Sequence, residues 1–86
     1  MRTQEQVIFV SRNVGMLVVQ HGDGFAVVEM LGSEGEIVVG DKVAGDWDAL
    51  GGEPITAHGQ NFDAYFQGNW GSRDAAIKIA RNTGGG

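Results

Sequence analysis

Two histidines and a set of carboxylates are the side chains here best suited to chemistry. His21 and Asp23 stand two residues apart, with His58 the second histidine. Two imidazoles and a carboxylate could hold a transition metal. No closely spaced ligand motif accompanies them, however, and a His-Gly-Asp-Gly string is also what a solvated turn contains. Asp46-Trp47-Asp48, followed by Gly51, begins as a calcium loop does. Such a loop requires a later glutamate where Ala57 stands, and flanking helices. As strand neighbours the two carboxylates would lie roughly 7 Å apart, at about 3.3 Å per residue. That separation suits an inverting glycosidase pair, but so small a chain supplies no sugar cleft. A solvated strand face explains both acids without chemistry.

Other motifs fail on composition. "GDGFAV" and "GSEGEIVVG" are glycine-rich yet lack the lysine and hydroxyl residue of a P-loop, and neither opens a helix. Ser11, Ser33 and Ser72 have no histidine-carboxylate context. Lys42, beside Asp41, reads as a wet-face residue rather than a cofactor arm. With no cysteine, thiol catalysis, disulfides and thiolate-ligated zinc are excluded. No catalytic, cofactor-binding or metal-binding residue is assigned, and no cofactor is expected.

The aromatic residues carry more information. Trp47, Phe62, Tyr65, Phe66 and Trp70 could stack single-stranded bases or anchor a protein. A small chain must bury most of its large aromatics to fold. Phe62, Phe66 and Trp47 are therefore assigned to the core, whereas Tyr65, between acidic and amide neighbours, is the best exposed contact. The candidate partner-contact set is Tyr65, Trp70, Arg73, Lys78 and Arg81.

The elements that must position these side chains are mostly strands. "EQVIFVS", "MLVVQ" and "FAVVEML" are rich in β-branched residues. Asp23-Gly24 between the last two is a hairpin signal. Gly15 reads as a bulge that lets one long strand bend. "GSEGE" is a turn, and Ile37 to Val39 should extend the sheet until Gly40-Asp41 interrupts it. From Lys42 the alternation is clean: Val43, Gly45 and Trp47 share one face, and Lys42, Ala44, Asp46 and Asp48 the other. Pro54 starts a short strand, "ITAH".

In "NFDAYFQGNWG" the glycines disfavour a helix. Strand register places Phe62, Ala64, Phe66, Gly68 and Trp70 on one face. From Ser72 the period changes. Ser72 can cap a helix over about 72–82, with Ala76, Ile77 and Ala80 as its apolar stripe. Asp74 sits near the positive end of its dipole and pairs in spacing with Lys78, while Arg81 sits near the negative end. Asn82 and Gly84 stop it. Residues 83–86 form a flexible glycine tail.

These elements predict a single mainly β domain over residues 1–82. It is a small five- to six-stranded barrel, or a strongly bent antiparallel sheet, with a short C-terminal helix. "VGDKVAGD" resembles the glycine-aspartate turns of many small barrels, including oligonucleotide-binding and SH3-like ones. An oligonucleotide-binding barrel would carry a helix between its third and fourth strands, where "ALGGE" stands. The terminal glycines resemble those of ubiquitin-like proteins and sulfur carriers, which end in a glycine pair activated as an acyl adenylate. Here the tail follows a helix rather than a strand, and the early hairpin lacks the long helix which that fold places after it.

Composition bounds the function. The chain has 86 residues and a net charge of −5, unevenly placed. Nine acids face Lys42 alone between Asp23 and Asp63, while Arg73, Lys78 and Arg81 cluster near the end. An acidic balance opposes general binding to nucleic acid or anionic membrane. The N-terminal apolar run is too short for a signal peptide, and no stretch is long enough to span a bilayer. The absence of cysteine in so small a domain points to the cytoplasm. The leading expectation is a non-catalytic module that binds a protein or a second copy of itself. The alternative is a single-stranded nucleic-acid binder, with an enzyme or a ubiquitin-like carrier behind it.

Overall fold

The computed structural model describes residues 3–11, 15–22, 24–31 and 37–82. Its strands are β1 (Thr3–Ser11), β2 (Met16–His21), β3 (Gly24–Met30), β4 (Lys42–Gly45), β5 (Gly51–Gly52), β6 (Ile55–Ala57), β7 (Gln60–Phe62) and β8 (Ala64–Trp70). One helix, α1 (Arg73–Asn82), follows. The strands form one antiparallel sheet in the order β5-β8-β3-β2-β1-β4-β6-β7, curled into a half-barrel. Sequence patterning finds five or six strands, including the short one after Pro54 that is β6; β5 and β7, of two and three residues, are too short to show a period of their own. β7 runs into β8 past Asp63 alone, so the chain itself joins one end of the curl to the strand next to the other end.

The central hairpin explains why its strands read as unbroken apolar runs. β2 and β3 are covered on both faces. Leu17, Val19, Ala26 and Val28 pack into the concave interior with Val7, Val43, Ile55, Phe62 and Phe66. Met16, Val18 and Val27 pack outward against Ala76 and Ala80 of α1. Two small residues on the helix let its backbone approach the sheet closely. Ser72 caps α1: its Oγ accepts the Ala75 N–H at 3.3 Å and its carbonyl the Ala76 N–H at 3.1 Å. Ala76, Ile77 and Ala80 all pack on the outer cluster as patterned, and Ile79 joins them. None of the helices among the described residues is long and apolar enough to cross a membrane.

Several local expectations are corrected. Gly15 does not bend one long strand. Its φ of 67° places it in the turn that joins β1 to β2, beside the Ser11–Met16 pair. The bulge falls instead at Ile8, between the Val7–Val19 and Phe9–Val18 pairs. The β2–β3 hairpin forms, with His21 paired to Gly24. Gly24 is already in the ladder, where a Cβ would lie 2.7 Å from the Trp70 carbonyl oxygen. Its lack of a side chain serves the close approach of β8. Ile37 to Val39 add no strand. Asp41 N–H bonds the Val38 carbonyl at 3.1 Å and closes a turn, leaving Ile37 buried and Val39 exposed.

The alternation of Val43, Gly45 and Trp47 against Lys42, Ala44, Asp46 and Asp48 holds in burial, yet the strand ends at Gly45. Asp46 to Ala49 is a turn, closed by Ala49 N–H to the Asp46 carbonyl at 3.1 Å. Asp46 Oδ1 accepts the Asp48 N–H at 3.3 Å. These acids shape a turn rather than line a strand. A second bulge corrects Trp70. Val28 pairs with Phe66 and Val27 with Gly68, leaving Gln67 extra and reversing the facing beyond it. Phe62, Ala64 and Phe66 face the interior, but Trp70 faces outward with Phe25 beneath α1. Asp23, Ser33, the "GSEGE" turn, Gly84 and the 83–86 tail lie outside the described residues.

Candidate functional site

One end of the half-barrel gathers polar groups from four strands. The indole of Trp47 is 3% exposed and stacks on Phe66 with ring centroids 5.7 Å apart. Its Nε1–H donates to the Thr3 carbonyl at 2.9 Å. Asn69 Nδ2 donates to the Trp47 carbonyl at 2.8 Å, and Asn69 Oδ1 meets His21 Nε2. Thr3 Oγ1 donates to Glu5 Oε2 at 3.1 Å. The ladder between β1 and β2 begins at the Gln6–Gln20 pair. Beyond it an open groove of about 400 Å³ is lined by Glu5, Gln6, Gln20, His21, Gly22 and Lys42. The bonds through Trp47 and Asn69 link β1, the turn after β4, β8 and β2, so the end reads first as a structural lock.

The histidines do not converge. His21 engages Asn69, whereas His58 Nε2 lies 3.0 Å from Asp41 Oδ2. Among the described residues, no three His, Asp or Glu side chains gather as a metal would require. Asp41 carries a perturbed carboxyl group. The Val38 N–H, 2.9 Å from Oδ2, is the chief cause holding its pKa below the ordinary range, and His58 adds to it.

The outer face of the sheet differs in character. α1 covers β3, β2 and part of β1 and leaves the middle of β8 open. Tyr65 stands there, 45% exposed. Its ladder partner on one side is Glu29, and on the other Gly52, which has no side chain to cover the ring. Leu50, next to β5, is 72% exposed. Gln67 Nε2 donates to Glu29 Oε1 at 3.1 Å, and Asp63 lies exposed two residues before Tyr65 on the same side of the chain. The result is an apolar patch with acids on its rim.

The structure thus separates the five candidate contacts. Tyr65 is open, while Trp70 is half-buried in the cluster under α1. Arg73, Lys78 and Arg81 are all exposed on α1. At about 100° per residue, Lys78 and Arg81 lie some 60° apart on the face turned from the sheet, and Arg73 lies to one side. Asp74 falls between Lys78 and Arg81 on that same face. The sequence reading missed Glu29, Leu50 and Gly52. The pair Gly51-Gly52 looked like a chain break, and only the ladder shows that it flanks Tyr65. No family model, curated protein or solved structure matches the chain.

Proposed function

We propose that this chain is a small non-catalytic binding module that takes a protein partner on the outer face of β8, centred on Tyr65. The observation that carries this reading is an aromatic ring left uncovered on an outer sheet face where Met16, Val18, Val27, Phe25 and Trp70 pack with α1. Tyrosine is favoured at protein interfaces because it joins a large apolar body to a polar tip. The absence of cysteine supports a cytoplasmic setting. The test is a benzophenone photocrosslinker in place of Tyr65, compared in cells with the same group at exposed Gln60. A discrete adduct at 65 that is missing at 60 supports the reading. No adduct at 65, or the same adducts at both positions, overturns it.

Single-stranded nucleic acid is the second reading, favoured by the shared outward face of Lys78 and Arg81. It is weaker. The acids nearest Tyr65 repel phosphate, and Trp70, the natural stacking neighbour, packs beneath α1.

A further inference from the structure

We infer that the partner seated on the Tyr65 face is a second copy of this chain, placed so that the outer face of its α1 covers Tyr65. This rests on the reading that Tyr65 marks a contact surface, and it names the occupant. The first argument is shape. α1 lies on the outer face of the sheet over β1 to β3, and Tyr65 points to that same side over β8. A helix stands roughly 10 Å above the sheet it covers, so the open part of β8 forms the foot of a step. A two-fold axis beside the step would place each copy's helix at the foot of the other's. Each helix would then lie between two sheets, and the contact would close without growing into a filament.

The second argument is charge. Two acids flank Tyr65: Glu29 is directly opposite it in the ladder, and Asp63 is two residues before it on the same side of the chain. The helix face turned from its own sheet is the most basic described surface. Lys78 is about 200° around the helix from both Ala76 and Ala80, the residues buried against the sheet. Arg81 lies beside it, and Asp74 offsets only part of the charge. No other described part of the chain offers clustered cations. Opposite charge at this contact must act against the repulsion of two molecules at −5 each. The association is therefore expected to depend on concentration.

Sedimentation equilibrium on the full chain, from roughly 10 μM to roughly 1 mM, tests the inference. The weight-average mass should climb from 9.1 kDa towards twice that value. Tyr65→Ser should weaken dimerisation by about tenfold or more. The double variant Lys78→Glu with Arg81→Glu should do the same, as should Asp63→Lys. Circular dichroism and the thermal midpoint check that each variant is folded. The decisive sample is an equal mixture of the Lys78→Glu/Arg81→Glu chain with the Asp63→Lys chain. In the two-fold arrangement one contact of the mixed pair is native and the other has both charges reversed, so the mixture should associate where each variant alone does not. A monomer at every concentration, or no recovery in the mixture, overturns the second copy as occupant. If the chain stays monomeric while the crosslinker at 65 captures a different protein, the Tyr65 reading survives alone.

Discussion

Asp41 shows how one carboxylate organises a stretch whose residues lie apart in sequence. Its Oδ2 accepts the Val38 N–H and meets His58, seventeen residues away, while its own carbonyl accepts the Val7 N–H at 2.9 Å. The native pKa is depressed, so the ionised form stabilises the fold. That contribution is complete above the unfolded aspartate range and is lost as pH falls through the lower native value. Thermal midpoints followed downward from neutral pH should therefore fall more steeply in the wild type than in Asp41→Ala. Parallel curves would contradict this. Asp46 and Asp48 separate by the same reasoning. Asp48→Asn should change stability by no more than about 0.5 kcal/mol, whereas Asp46→Ala removes the acceptor of the Asp48 N–H and should cost about 1 kcal/mol. Urea denaturation measures both. Composition showed these residues to be polar, but partners separated by a turn or by seventeen residues leave no trace in spacing.

At the scale of elements, period-two patterning located the long strands and the change of period located α1. It failed where a bulge adds a residue. Ile8 shifts β1 by one, and Gln67 turns Trp70 from the interior to the helix side, since the side-chain period of a strand is two. Nothing in "YFQGNW" announces the extra residue except Gly68. The β2–β3 hairpin was legible as a hairpin, whereas the register that brings β8, a strand distant in sequence, against Gly24 was not. Gly24→Ala tests that register: a Cβ there meets the Trp70 carbonyl at 2.7 Å. The substitution should cost about 1–3 kcal/mol, and an unchanged stability would mean that β8 lies further from the hairpin than described. Ser72→Ala should cost about 1 kcal/mol through loss of the cap to Ala75.

For the whole molecule, the half-barrel brings acids and an open tyrosine to one part of the outer sheet face and cations to the helix beside it. The uneven charge was plain in the sequence. Its placement was not, because β5 reaches β8 only through a loop that crosses from β4. The central claim is that Tyr65 serves a protein contact and not the stacking of bases. Tryptophan fluorescence titrated with a mixed-sequence single-stranded oligonucleotide tests it most directly. Trp47 is enclosed, and the rim acids act over roughly 8 Å at physiological salt. The expected result is no binding tighter than about 100 μM, the weak edge of non-specific affinity. Quenching at low micromolar oligonucleotide would contradict the claim, provided that it weakens steeply with salt and disappears in Tyr65→Ala or Arg81→Ala.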